Sequence, residues 1–237
     1  MLPTQVVDLF CGIGGLTRGL IDAGFNVVAG FDNDKTCEYS YHENNHVTFH
    51  LQNIREVSGE MINNCYDENV HHILVGCAPC QPFSAMRFKL GEKNENDEKY
   101  NLLSEFGRLI QETMPIVVSM ENVPQIQDTR IYLDFIALLE RLGYYTSPNV
   151  VFCPDYGISQ SRRRFVLLAS LIAPIQLIPP THDRKKVQVQ NFIRNLPPVV
   201  AGEENVADPL HRSAHLSDIN HRKILLVLNQ IVSVFSP

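Results

Sequence analysis

A cysteine and a glutamate follow two apolar stretches that are typical of neighbouring strands. Cys80 lies in the segment Pro79-Cys80-Gln81, directly after the apolar run 72–76, and Glu121 follows a second apolar run, 116–120. Ligands and chemistry gather at the carboxyl ends of strands in open α/β sheets. A thiol and a carboxyl group at one such edge form a candidate pair for covalent catalysis, with the cysteine as nucleophile.

A glycine-rich turn precedes this pair in the chain. Residues 8–15, with glycines at 12, 14 and 15, join the first predicted strand to the first helix. Glycines there allow a tight bend and a close approach of the backbone to a ligand. The spacing differs from the dinucleotide fingerprint, because Thr17 stands where the third glycine is expected. The next strand ends at Asp32, whose carboxylate could accept hydrogen bonds from a ribose diol, so the pattern indicates a nucleoside-type cofactor.

A basic run, Arg162-Arg163-Arg164, precedes the predicted strand 165–169. A solvated strand start is the usual meaning of such a run. On an extended segment Arg162 and Arg164 would share one face, with Arg163 on the other. The turn-like residues 156–160 just before the run would bring two arginines to the same sheet edge as Cys80 and Glu121.

Cys77 and Cys80 form a C-x-x-C pair, which could act in thiol redox chemistry or supply half of a zinc site. A zinc site needs two further ligands. The nearest histidines, His71 and His72, fall inside a predicted strand and point to opposite faces. There is no second C-x-x-C in the sequence, so we predict no metal site.

Strand-like and helix-like segments alternate along the chain. The predicted strands are 6–10, 27–31, 73–76, 116–120, 150–152 and 165–169, and the predicted helices are 15–23, 35–43, 102–113 and 131–142. This alternation predicts an α/β fold with a doubly wound, mostly parallel sheet, buried on both faces. We expect residues 1–173 to form the catalytic and cofactor-binding domain. Residues 174–237 are predicted to be a loop-rich extension that ends in an apolar helix from about Asp218.

The composition narrows the classes of function. The chain has 237 residues, a net charge of −6 and 44% hydrophobic residues. An acidic chain does not bind a polyanion with its whole surface, so any contact with nucleic acid must be local. Six irregularly spaced cysteines favour a reducing compartment over a disulfide framework. The longest apolar stretch, 224–235, is too short to cross a membrane, and we expect no membrane association.

Taken together and in order, these motifs resemble those of the DNA (cytosine-5)-methyltransferase family. The similarity covers residues 5–170 and extends more loosely to about 215. The segments that carry it are Asp8–Gly15, Phe31–Asp34, Asn53-Ile54, Gly76–Ser84 with its Pro-Cys-Gln core, Met120–Val123 with Glu-Asn-Val, and Asp155–Arg164 with Gln-x-Arg-x-Arg.

The resemblance implies transfer of a methyl group from S-adenosylmethionine to carbon 5 of a cytosine flipped out of duplex DNA, with S-adenosylhomocysteine as product. It implies that Cys80 attacks carbon 6 and that Glu121 supplies a proton to ring nitrogen 3. Arg164, together with Arg162, is implied to fix the base carbonyl. The expected enzyme is a DNA (cytosine-5-)-methyltransferase with the Rossmann-like fold of S-adenosylmethionine-dependent enzymes, of the kind found in restriction-modification systems.

The resemblance also implies a set of binding residues. The implied cofactor contacts are Phe10, Gly12, Gly14, Gly15, Leu16, Asp32, Asn33, Asn53, Ile54 and Pro79. The implied substrate contacts are Gln81, Ser84, Asn122 and Gln160. Asn53 stands where the family usually has an acid that accepts from the adenine amino group. Its amide carbonyl can still accept, so we expect binding that is weakened but not lost.

A target-recognition domain is not visible in the sequence, and we expect a second chain or a missing segment to carry it. The expected location is the bacterial cytoplasm or nucleoid, or the nucleus in a eukaryote. Three alternatives stay open. The chain could methylate tRNA cytosine, although a Cys-Phe-Thr element typical of that branch is absent. It could be a cofactor-binding scaffold that is inactive without a partner, or a thiol redox protein.

Overall fold

Seven strands form one sheet in the computed structural model, which describes residues 3–79, 101–183, 185, 187–205, 208, 211–220 and 222–224. The strands are β1 (Thr4–Leu9), β2 (Asn26–Asp32), β3 (Thr48–Leu51), β4 (His71–Gly76), β5 (Val117–Asn122), β6 (Tyr145–Phe152) and β7 (Arg163–Ser170). Their order across the sheet is β3-β2-β1-β4-β5-β7-β6.

The sheet is mostly parallel, as predicted. The pairs β1–β2, β1–β4, β2–β3 and β4–β5 are parallel, whereas β7 runs antiparallel to both β5 and β6. The carboxyl ends of β1, β2, β4 and β5 therefore share one edge. Because β7 is reversed, its first residues, Arg163 and Arg164, also lie at that edge. This edge is where an open α/β sheet binds its ligands.

The described helices are α1 (Gly15–Asp22), α2 (Glu38–Asn45), α3 (Gly59–Asn63), α4 (Leu102–Thr113), α5 (Arg130–Arg141) and the short α6 (Gln190–Ile193). The predicted helix 102–113 is confirmed with the same bounds. The predicted helix 35–43 begins instead as a 3-10 turn, Lys35–Cys37, and its α-helical part continues to Asn45. The predicted strand 150–152 is the last part of the longer β6.

Both faces of the central strands β1 and β4 are buried. Val7 and Leu74 pack on the face that contacts Phe106 of α4, and Val6 and Val75 pack with Tyr41 of α2 on the other face. These strand residues are at most 1% exposed. Neighbouring residues of one strand thus enter two different clusters, which is the burial that helices on both faces of a sheet produce.

The chain folds into two compact units, one of Met1–Val189 and another of Gln190–Pro237. The first unit holds the whole sheet. Within the second, Glu204 and Arg212 form an antiparallel bridge and the Ser213 hydroxyl donates to the Val200 carbonyl at 2.7 Å. The predicted boundary at 173/174 stays a prediction. Residues 225–237, most of the predicted apolar helix, lie outside the described residues. Among the described helices, none has the length and apolar character that crossing a membrane requires.

Candidate active site

The glycine turn after β1 has a backbone that favours glycine. Phe10, Gly12 and Gly14 all have positive φ values, of 57°, 51° and 86°. A Cβ atom on Gly14 would overlap the Asn45 side chain, so only glycine fits there without a shift. The carbonyl of Gly14 accepts from the Arg18 N–H at 2.8 Å, which starts α1. The turn is therefore a tightly packed connection from strand to helix.

Asp32, at the end of β2, holds two turns with one carboxylate. Its Oδ2 accepts from the Gly12 N–H at 2.8 Å, and its Oδ1 accepts from the Asp34 N–H at 2.9 Å. Each carboxylate oxygen can accept more than one hydrogen bond, so both retain capacity for a ligand. The predicted ribose acceptor is thus also a structural anchor for the glycine turn.

A buried polar group lies directly beneath this turn. Asp8 is fully buried in β1, and its Oδ2 accepts from the Thr17 hydroxyl at 2.7 Å. The Thr17 oxygen lies 3.1 Å from the Tyr41 hydroxyl. Burial raises the pKa of Asp8 to about 7, with the Thr17 hydrogen bond acting in the opposite direction. Near neutral pH the Asp8 carboxyl group is therefore only partly ionised.

One pocket of about 470 Å³ opens at the carboxyl edge of the sheet. It brings together six of the ten predicted cofactor residues, which are Phe10, Asp32, Asn33, Asn53, Ile54 and Pro79, and it also contains Glu121. The other four, Gly12, Gly14, Gly15 and Leu16, are not among its lining residues, and Leu16 packs against the core cluster of Val6 and Tyr41. Of these four residues, Gly12 contacts the pocket residue Asp32 through its backbone N–H.

An arginine outside the predicted set holds one wall of this pocket. Arg108 of α4 donates through Nη2 to the carbonyls of Ile54 and Val57, at 3.2 and 2.9 Å. Its Nε and Nη1 bind Glu105 and Glu112, each at 2.8 Å. The position of Asn53 and Ile54 at the pocket therefore depends on a helix some fifty residues further along the chain. No sequence motif marks Arg108.

The wall residue Asn53 uses its side chain locally. Its Oδ1 accepts from the Arg55 N–H at 3.2 Å, and its own carbonyl accepts from the Glu56 N–H at 2.8 Å. This local turn keeps the amide oxygen at the start of the loop that Arg108 fixes. A carbonyl oxygen has two lone pairs, so Asn53 can still accept one further hydrogen bond.

Glu121 is bound at both carboxylate oxygens. Arg164 Nε lies 2.6 Å from Oε1, and the Cys77 thiol donates to Oε2. Glu121 pairs with Val166 across β5 and β7, so Arg164, two residues before Val166, is its diagonal neighbour on the same sheet face. The two side chains are only 29% and 17% exposed, which strengthens their attraction relative to a surface pair.

Asn122, the next residue of β5, is buried and bound to backbone. Its Nδ2 donates to the Ala78 carbonyl at 3.0 Å, and its Oδ1 accepts from the Val123 N–H at 2.8 Å. Glu121 and Asn122 were expected after the strand, but β5 continues through both because β7 pairs with them. The implied substrate contact of Asn122 stays a prediction.

The remaining predicted residues are less well placed or lie outside the description. Arg162 is exposed and precedes β7, with its Nη1 3.5 Å from Gln160 Oε1. Among the described residues it is Arg164 that contacts Glu121, and the predicted role of Arg162 stays a prediction. Cys80, Gln81 and Ser84 lie outside the described residues, so their predicted roles stay predictions.

The sheet order and the pocket at its carboxyl edge define a Rossmann-like methyltransferase fold. Two solved structures share it: a DNA modification methyltransferase encoded within an E. coli prophage and the Entamoeba histolytica methyltransferase EhMeth. The TM-scores are 0.64 and 0.62, the identities 23% and 21%, and the coverage 85% and 77% of this chain against 57% and 58% of theirs.

The sequence profile of the C-5 cytosine-specific DNA methylase family matches residues 4–225, and the chain belongs to this family. Type II methylase M.HgiDII of Herpetosiphon aurantiacus is 46% identical over 223 residues, which are 92% of this chain and 62% of that protein. Type II methyltransferase M.HindV of Haemophilus influenzae is 30% identical, over 76% of this chain and 58% of that protein. The chain thus spans about three fifths of the length of these relatives.

Proposed function

We propose that this chain carries the catalytic and cofactor-binding part of a DNA (cytosine-5-)-methyltransferase that uses S-adenosylmethionine. The observation that carries the proposal is the pocket that joins Asp32 and the Asn53-Ile54 wall to Glu121. A methyl donor and a base must meet in one space, and this pocket contains both the cofactor-type residues and the acid. Its volume falls in the range usual for small-molecule sites.

The residues present suit S-adenosylmethionine. Asp32 has unused acceptor capacity for a ribose diol, and the Asn53 amide can accept from an adenine amino group. Phe10 and Ile54 supply apolar surface on the same pocket. When bound, S-adenosylmethionine supplies the methyl group that carbon 5 of the cytosine receives.

In the proposed mechanism Cys80 is the nucleophile. The Cys80 thiol first loses its proton to solvent, and the thiolate sulfur forms a bond to carbon 6 of the flipped cytosine, while Glu121 in its protonated form gives a proton to nitrogen 3. The electron pair of the carbon 5–carbon 6 double bond then makes carbon 5 nucleophilic. After methylation, carbon 5 loses its proton to a solvent base, the sulfur–carbon 6 bond breaks, and the nitrogen 3 proton returns to Glu121. General acid catalysis of this kind typically contributes about 10²–10⁴-fold.

Arg164 has two tasks in this proposal. It holds Oε1 of Glu121, at 2.6 Å, and it offers its remaining donors to the carbonyl of the base. The reversed direction of β7 supports this role, because it brings Arg164 to the edge where Glu121 lies. Arg162 and Gln160, both exposed beside the site, are proposed to contact the nucleic acid.

Duplex DNA is the proposed substrate, and the target sequence is proposed to be read by a part supplied on a further segment or a second chain. The family membership supports the substrate. The net charge of −6 supports a separate reader, since specific binding draws much of its affinity from neutralised phosphates. Few base-reading side chains are then required of residues 1–237.

Transfer of a labelled methyl group tests the proposal. Residues 1–237 are incubated with radiolabelled S-adenosylmethionine and either plasmid DNA or tRNA, with and without the remaining part of M.HgiDII added in trans. We expect label at cytosine carbon 5 in the combined reaction, and none with Cys80→Ala. Label in RNA alone, or label in DNA that survives Cys80→Ala, would contradict the proposal.

A further inference from the structure

Cys77 occupies a defined position relative to Glu121. β4 and β5 pair in parallel, with Gly76 opposite Met120. The residues that follow them, Cys77 and Glu121, therefore lie side by side. Paired residues of neighbouring strands project to the same face of a sheet. The Cys77 thiol and the Glu121 carboxylate therefore face one another, and Sγ donates to Oε2.

The backbone around Cys77 is fixed from both sides. Its N–H donates to the Leu9 carbonyl of β1 at 3.2 Å. The carbonyl of the following residue, Ala78, accepts from Asn122 of β5 at 3.0 Å. The backbone that carries the Cys77 thiol is thus held by contacts with both neighbouring strands, β1 and β5.

Glu121 is consequently held between donors from two directions. Arg164 of β7 binds Oε1, and Cys77 at the end of β4 binds Oε2. Cys153 also lies within electrostatic reach of Glu121 and Arg164. The last torsion of a glutamate side chain is broad when nothing restrains it. A donor on each oxygen fixes the plane of the carboxyl group within the pocket.

We propose that Cys77 is a positioning residue whose thiol orients the carboxyl group of Glu121 for proton transfer to the base. The proposal rests on the proposed function, in which Glu121 is the acid. It gives the first cysteine of the C-x-x-C pair a role as hydrogen-bond donor, distinct from redox chemistry and from the nucleophilic role of Cys80. A serine at this position retains a hydrogen-bond donor, the hydroxyl group on Cβ, whereas an alanine has none.

A measurement of thiol reactivity tests the contact without any methylation. In a Cys80→Ala background, alkylation of Cys77 by iodoacetamide is followed by mass spectrometry at pH 8. A neighbouring carboxylate disfavours the reactive thiolate, so Glu121→Gln should speed alkylation about fivefold or more. The matched control Glu140→Gln, an exposed residue of α5, should leave the rate unchanged. Equal rates in Glu121→Gln and its parent would overturn the contact.

A cycle of variants in the methyl-transfer assay tests the role. We expect Cys77→Ala to lower kcat about tenfold with little change in KM for S-adenosylmethionine, and Cys77→Ser to restore most of the loss. In the Glu121→Gln background Cys77→Ala should have no further effect, because an amide has no acidic proton for the thiol to orient. An equal loss with and without Glu121 would overturn the proposal. Absence of all methyl transfer would instead count against the proposed function, while the alkylation rates would still report on the contact.

Discussion

The backbone N–H of Gly12 donates to Oδ2 of Asp32 at 2.8 Å, which ties the glycine turn after β1 to the end of β2. The other oxygen of Asp32 accepts from the Asp34 N–H, so the same carboxylate also fixes the turn that leaves β2. One side chain thus shapes two borders of the pocket. A substitution at Asp32 should alter the cofactor site both by losing a contact and by loosening these turns.

We expect Asp32→Asn to weaken binding of S-adenosylmethionine about tenfold or more. An amide keeps the size of the side chain but places an NH₂ group against either the Gly12 or the Asp34 N–H, where two donors face each other. Isothermal titration calorimetry measures the change. Asp134→Asn, an exposed residue of α5 that binds Arg130, is the matched control. Tight NAD binding without a response to S-adenosylmethionine would overturn the cofactor assignment.

Covalent catalysis by Cys80 predicts a trapped adduct. With the remaining part of M.HgiDII added in trans, DNA containing 5-fluorocytosine should form a stable complex in the presence of S-adenosylmethionine, because fluorine cannot leave carbon 5 as a proton does. Denaturing electrophoresis detects the complex. Cys80→Ala should abolish the complex. The control variant Cys153→Ala, which replaces a buried cysteine, should still form it. A complex that persists in Cys80→Ala, or that maps to Cys77, would refute the mechanism.

The hydrogen bonds of Arg108 predict an effect on the affinity for the cofactor, although Arg108 does not line the pocket. Arg108→Met keeps the apolar stem but removes the hydrogen bonds to the carbonyls of Ile54 and Val57. We expect a several-fold weaker affinity for S-adenosylmethionine and a free energy of unfolding lower by about 1–3 kcal/mol. Arg130→Met, whose side chain is 79% exposed, provides the comparison in calorimetry and urea denaturation. Equal behaviour of the two variants would contradict a role for Arg108 at the pocket.

The burial of Asp8 predicts that the free energy of unfolding of the protein depends on pH. Its pKa is raised from 3.8 to about 7 by burial, so the folded state holds a proton that the unfolded state releases between these values. The contribution is fully present below the unfolded pKa and is lost as the pH rises through the folded pKa. The free energy of unfolding should therefore fall as the pH rises from about 4 to about 7. The difference between the two pKa values, 3.8 and about 7, corresponds to a total loss of up to roughly 4 kcal/mol.

Urea denaturation at pH 5 and pH 8 measures this dependence. Asp8→Asn removes the titrating group, so the stability of the variant relative to the parent protein should improve at the higher pH. Asp22→Asn, in the exposed ion pair with Arg18, should leave the difference between the two pH values as it is. If Asp8→Asn and the parent protein lose stability in parallel, Asp8 does not titrate with folding.

The strands that carry the site could be predicted from the sequence. Each of these strands, which are β1, β2, β4 and β5, is an apolar run that ends at a glycine turn or an acid. A buried parallel strand has such an apolar sequence whatever its neighbours in the sheet are. β3 and α3 were not predicted, because they have only four and five residues and carry little periodicity. Short elements of this kind are fixed by packing and not by local preference.

The amino-acid sequence by itself determined the class of fold, the sheet edge that bears the site, and the candidates Asp32 and Glu121. The tertiary structure decided which side chains meet there. Arg164 and not Arg162 reaches Glu121 because β7 pairs with β5 in one register. Arg108 reaches the Ile54 loop across some fifty residues of chain, and Cys77 reaches Glu121 across forty-four. A local pattern encodes burial and periodicity, whereas such contacts depend on strand order and register, which are set when the whole sheet assembles.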